Sequence, residues 1–166
     1  LPNKQTLVIA LADHFKIDAI NKHGLSYDKV YGKKDFETRK KLQEIGTEEG
    51  RYIYGDKIWI NTLETWMTTF YTRGIERFII SDLRFQNEVN WIKNLNGTVI
   101  KIVSEERFNI RLQNETNGDS KKIEEIKNHP SESGIDKIKN FDFQINNDLN
   151  NNIFNEKRCK NKIYNI

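Results

Sequence analysis

Short continuous apolar runs alternate along the chain with longer stretches of helical periodicity. Residues 6–12 (TLVIALA) form an unbroken apolar run and predict a strand, with a helix opening at His14 and packing Phe15, Ile17, Ala19 and Ile20. Residues 24–35 are polar, interrupted by Gly24 and Gly32, and read as a loop. Residues 36–48 predict a helix with Leu42 and Ile45 inward, followed by a turn from Gly50-Arg51 through Gly55. Asp56 then caps a long helix over 57–73, whose stripe of Ile60, Leu63, Trp66, Met67 and Phe70 places Trp66 and Met67 in the core. Gly74 closes it. Phe78, Ile79 and Ile80 make a second strand of the kind covered on both faces, followed by a polar helix over 85–95 and a turn at Asn96-Gly97. Residues 98–103 (TVIKIV) are a third strand, 141–145 a last short one, and 149–160 a last helix with Ile153 and Phe154 inward. Between them, 104–128 is polar and Gly-bearing, and reads as a mobile excursion or lid. The β-α-β rhythm predicts an α/β domain of three layers, a parallel sheet flanked by helices with right-handed crossovers.

The chemistry gathers at the carboxyl ends of the predicted strands, the edge at which open α/β sheets bind ligands. Asp13 ends the first strand, with Lys16 close behind; Asp82 ends the second, and Arg84, Gln86, Asn87 and Glu88 crowd after it. Either aspartate also suits a helix N-cap, and Arg84 with Glu88 an i,i+4 pair. Arg39 offers a fork that matches a phosphate. Among Lys40, Lys41 and Glu44 it reads equally as a solvated helix charge, the reading the pattern favours. Trp59, at the start of the long helix, is placed to stack on a planar base. His129, before Pro130, reads as structural, and His14 and His23 as surface residues.

Composition narrows the classes. A chain of 166 residues is one domain with a full core. No apolar run reaches the length of a membrane span, and no secretory leader pattern is present. One cysteine, Cys159, forms no internal disulfide and, with three scattered histidines, makes no zinc set, which fits a reducing, cytoplasmic setting. A net charge of +3, with both signs mixed along the chain, does not suit direct nucleic-acid binding but allows a local basic cleft for a small phosphorylated ligand.

Five blocks, LADHFK (11–16), RKKLQEIGTEEGR (39–51), IW (58–59), SDLRFQNEV (81–89) and HPSE (129–132), occur here in the order they take in the deoxynucleoside monophosphate kinases of bacteriophages and large DNA viruses. The chain resembles that family from Thr6 nearly to its end. The resemblance implies a P-loop kinase-like fold and transfer of the γ-phosphoryl of ATP to a deoxynucleoside monophosphate with Mg2+, serving viral DNA precursor supply in the host cytoplasm. It implies that Asp13 and Lys16 lie beside the phosphates and that Arg39 grips the monophosphate. Gly46, Thr47, Arg51 and Trp59 would form the acceptor pocket, and Asp82, Arg84 and Glu88 would meet the base and sugar. Arg107 and Arg111 would be lid arginines closing on the transferred group, and FQINND (143–148) the last strand and adenine-side loop. A homodimer is open; a membrane or nucleic-acid partner is not expected.

The family's Gly-rich phosphate loop, GxxxxGK[ST], occurs nowhere in the 166 residues. It is expected upstream of Leu1, and without it ATP binding and turnover are expected to be poor. Two other readings stand beside the kinase: a catalytically inactive nucleotide-binding protein, and a metal-dependent nuclease built on Asp82, Glu88 and Lys101.

Overall fold

The computed structural model describes residues 5–148. The fold is mixed α/β and 60% helical, with its short parallel strands in two two-stranded sheets. Strand β1 (Gln5–Ile9) pairs in parallel with β2 (Ile75–Ile80), Leu7 opposite Phe78 and Ile9 opposite Ile80. Strand β3 (Ile100–Val103) pairs in parallel with β4 (Phe143–Asn146), Ile102 opposite Ile145. The parallel pairing agrees with the β-α-β rhythm. A single continuous sheet is not formed among the described residues, where β2 pairs only with β1 and β3 only with β4.

The strands are not covered on both faces. Val8 (62% exposed) and Ile79 (53%) share an open face of the first pair, and Ile102 (63%) lies open on the second. The opposite face of the first pair carries Ile9 and Ile80 onto the main core of Leu11, Trp59, Ile60, Leu63 and Trp91.

The helices account for the rest. β1 stops at Ile9, and α1 (Ala12–Asn21) begins two residues before the predicted start, which places Asp13 inside its first turn. The loop expected over 24–35 contains α2 (Tyr27–Tyr31), capped by Ser26 accepting from the Lys29 N–H; Val30 beneath it is fully buried against Ala19, Leu42 and Ile45. α3 (Phe36–Gln43) is capped by Asp35, whose side chain accepts from the Thr38 N–H at 2.8 Å. It runs without a break into a π-helical segment (Glu44–Arg51) and a last turn, α4 (Tyr52–Tyr54). The turn expected at Gly50-Arg51 is therefore helical, and the chain first leaves the helix at Gly55, where φ is +93°.

α5 (Ile58–Tyr71) opens without a side-chain cap. Asp56 does not cap it; its carbonyl instead accepts from Arg51 Nη1 at 2.9 Å and Asn87 Nδ2 at 3.0 Å. Ile60 and Leu63 are buried and Met67 packs on the core, as its stripe requires, but Trp66 is 45% exposed and stacks on Phe70. The stripe is wider than the face that β1, β2 and α6 (Gln86–Asn94) cover, so its edge is left outside.

The excursion over 104–128 is two helices, α7 (Glu105–Thr116) and α8 (Ser120–Asn128), joined at Asn117-Gly118. They bury Leu112 and Ile126 against Phe36, a cluster that ties the segment to α3. α9 (Pro130–Lys137) starts on a proline and is capped by His129, whose Nδ1 accepts from the Ser131 N–H at 3.2 Å. The helix expected over 149–160, with Ile153, Phe154 and Cys159, lies outside the described residues.

Candidate functional site

The carboxyl ends of β1 and β2 open onto a cavity of about 260 Å³. Its floor is built from the π-helical segment. That winding brings Gly46 and Gly50 against aromatic rings: a Cβ on Gly46 would meet Phe15 at 3.1 Å, and one on Gly50 would meet Trp59 at 2.4 Å. The Trp59 indole N–H donates to the Gly46 carbonyl at 2.7 Å, and Phe15 packs on its ring. Trp59 is only 6% exposed, so it braces the floor of the cavity instead of standing free to stack on a base.

The loop after β2 forms one wall and is held from two sides. Asp82 accepts from the Leu11 N–H and the Ala12 N–H, both at 2.8 Å, and so ties the end of β2 to the start of α1. It caps the α1 opening across the sheet, not the helix that follows it. Burial pushes its carboxyl up, against the two backbone N–H groups that favour the charged form. Glu88, 1% exposed, accepts from the Arg84 N–H at 2.6 Å and the Phe85 N–H at 3.0 Å, and pairs with the Arg51 guanidinium. Arg51 in turn lies over the Phe85 ring at 4.1 Å. Burial pushes the Glu88 carboxyl up as well, opposed chiefly by the Arg84 N–H and by Arg51. Glu88 and Arg51 are thus the frame of this loop and are occupied with each other.

The opposite wall is cationic. Arg39 closes its fork on Glu115, Nη2 to Oε1 at 2.8 Å and Nε to Oε2, and reaches Glu132 Oε1 with Nη1 at 3.4 Å. Arg84 Nη1 donates to Glu132 Oε2 at 3.1 Å, and Arg111 Nη2 lies 3.6 Å from the same oxygen. Nε and Nη2 of Arg111 are buried without a hydrogen-bond acceptor. Lys34 also lines the cavity; its nitrogen donates to the Gly32 carbonyl at 3.5 Å. Burial lowers the Lys34 ammonium, and Lys16 and Arg39 beside it lower it further. Burial and Arg39 lower Arg111, which at neutral pH remains charged.

Lys16, Arg39, Gly46, Thr47, Arg51, Trp59, Asp82, Arg84, Glu88 and Arg111 all line this one cavity. Asp13 and Arg107 do not. Asp13 accepts from the Ala10 N–H at 3.0 Å and lies 3.8 Å from Lys16, so it shapes the α1 opening. Arg107 donates Nε to the Asn147 carbonyl at 2.8 Å and faces two neighbouring, more open cavities of about 770 and 570 Å³. Arg111 lines all three. Lys34, Glu115 and Glu132 were not foreseen as site residues. Glu132 carried one signal, its place in HPSE at the opening of a proline-started helix; its partners lie 48 and 93 positions away and leave no local trace.

The lining carries Lys16, Lys34, Arg39, Arg51, Arg84 and Arg111 against Asp82, Glu88 and Glu132. Positive charge therefore exceeds negative, which suits a small anion with several acceptor oxygens. The described residues hold no cluster of three or more His, Cys, Asp or Glu with metal-ligand geometry, and each oxygen of Asp82 accepts one backbone N–H. No helix among the described residues is long and apolar enough to cross a membrane. Comparison with protein families, curated proteins and solved structures found no match.

Proposed function

We propose that the cavity holds the acceptor of a phosphoryl transfer, a deoxynucleoside monophosphate that is converted to the diphosphate at the expense of ATP–Mg2+. The observation that carries this reading is the convergence on one strand-end cavity of ten residues that the resemblance implicates, drawn from α1, α3, the π segment, α5, the β2 loop, α6 and α7. Phosphoryl transfer asks a protein for alignment and fixed positive charge, with little covalent chemistry. The partly exposed Arg84 and Arg111 provide that charge, Lys16 and Lys34 add to it, and the floor of Trp59 and Phe15 shapes the space for the sugar and base. Magnesium would enter with the ATP phosphates. Arg111, shared by all three cavities, is better placed than Arg107 to follow a phosphoryl group from donor to acceptor.

The same reading gives a finer account of the fold. In a P-loop nucleoside monophosphate kinase the two strand pairs would be halves of one parallel sheet, with the phosphate-loop strand between β2 and β3. The parallel sense of both pairs, and the edges of β2 and β3 left unpaired among the described residues, support this. The nuclease alternative gains nothing from the geometry: Asp82 and Glu88 have their oxygens engaged, and Lys101 lies on the larger neighbouring cavity, 3.8 Å from Asp136.

The test is binding. Tryptophan fluorescence or calorimetry should show deoxynucleoside monophosphates binding, and the corresponding deoxynucleosides binding far more weakly. Turnover is then read by ADP release with each of the four monophosphates. Failure of all four monophosphates to bind would remove the reading; binding without turnover, in a protein that carries the Gly-rich phosphate loop, would point to the inactive nucleotide-binding protein.

A further inference from the structure

Arg39, Arg84 and Arg111 come from α3, the β2 loop and α7, and all three meet one carboxylate. Glu132 takes Arg39 at 3.4 Å on one oxygen and, on the other, Arg84 at 3.1 Å and Arg111 at 3.6 Å. Its side chain is only 6% exposed, whereas those of Arg84 and Arg111 are 33% and 37% exposed. The carboxylate thus sits behind two guanidinium groups that keep faces toward the cavity. Three such cations brought together without it would repel one another across a partly desolvated space.

Glu132 is itself held firmly. It stands in the first turn of α9, behind the His129 cap. The helix is seated on the β2 loop at Gly134, where a Cβ would lie 3.1 Å from the Arg84 carbonyl oxygen. The position of the carboxylate and that of Arg84 are therefore set by the same packing.

We propose that Glu132 is a positioning residue, a buried carboxylate that, braced by Arg39, holds Arg84 and Arg111 side by side for the phosphate of the bound nucleotide. It acts through the arginines and need not touch the ligand. This rests on the function proposed above for the identity of the ligand, and its test separates the two. Binding of a deoxynucleoside monophosphate and of the matching deoxynucleoside is measured for the wild type, Glu132→Gln and Glu132→Asp, with thermal melts alongside. Glu132→Gln is expected to weaken monophosphate binding about tenfold or more, the scale of one well-made charged contact, and to leave deoxynucleoside binding unchanged. Glu132→Asp, which keeps the charge, is expected to fall between the two. Equal weakening of both ligands by Glu132→Gln would mean a collapsed site and overturn the role. Tighter monophosphate binding would also overturn it, by showing that the carboxylate occupies the place of the phosphate. Should Glu132→Gln not fold, a Glu132→Asp protein that binds the monophosphate no more weakly than wild type, or loses both ligands alike, overturns the role by itself. A wild type that binds no monophosphate would sink the proposed function instead.

Discussion

Replacing Arg51 with methionine tests whether the wall of the cavity is held by charge. Arg51 and Glu88 are 7% and 1% exposed, and Glu88 also receives the backbone N–H groups of Arg84 and Phe85. Methionine fills much of the same space but leaves the Glu88 carboxylate buried without its cation. Removing one partner of a buried pair costs about 3–5 kcal/mol. For a chain of this size each kcal/mol lowers the melting temperature by about 2–4 °C, so a fall of about 10 °C is expected. The loss should depend on pH. The folded-state carboxyl of Glu88 already sits above its ordinary value because it is buried, and Arg51 is among the groups that oppose that rise. Without Arg51 it climbs further. A carboxyl that holds its proton more tightly when folded makes stability fall as pH rises from the unfolded value of about 4.3 through the folded one. The deficit of Arg51→Met relative to wild type should therefore be largest near pH 8 and shrink toward pH 5, where Glu88 can take up a proton. Asp82 is raised in both proteins and cancels in the difference. Urea unfolding of the pair at pH 5, 6.5 and 8 measures this. A deficit below about 1 kcal/mol at pH 8, within the usual range for an exposed pair, or one of the same size at all three pH values, would refute the argument.

Three further outcomes are expected. Gly50→Ala places a methyl group within 2.4 Å of the Trp59 ring and 2.9 Å of the Ile45 carbonyl oxygen, so it should cost about 1–3 kcal/mol and change Trp59 emission; an unaltered melt and spectrum would contradict the close approach. Leu112→Ala, at a side chain 1% exposed between Phe36 and Ile126, should cost about 2–5 kcal/mol of global stability; if α7 and α8 formed an independent lid, the main unfolding transition would not move. Arg84→Ala should raise the KM for the monophosphate and lower kcat together while leaving the melting temperature within a few degrees, because its guanidinium is one-third exposed and its backbone is anchored separately by Glu88; unchanged kinetics would show it to be a surface charge.

How much of the site was readable in advance depends on the range of each interaction. Residues that act through their neighbours in sequence left a pattern. Asp82 and Arg84 stood at the end of an apolar run. Trp66 was misread because helical spacing fixes which residues share a stripe but not how wide a face the rest of the fold will cover. The helical path through Gly50 was missed because glycine propensity argues for a turn, and the packing of Trp59 over it overrides that preference. Arg39 shows the same limit: its neighbours in sequence are solvated charges, yet the side chain turns onto Glu115, 76 positions away.

The sequence by itself determined the order of the strands, the parallel sense of the strand pairs, and the gathering of charge at their carboxyl ends. These follow from periodicity, β-branched runs and crossover length, which are local properties of the chain. Only the tertiary structure decided which charges are framework and which are available. Arg51 with Glu88 and Arg39 with Glu115 are neutralised by partners far away in the chain and buried, whereas the Arg84 and Arg111 side chains stay about one-third exposed, because burial and pairing depend on which elements dock together. A cationic residue in a sequence states only its charge; whether a ligand can meet that charge is settled by the carboxylate that folding places beside it.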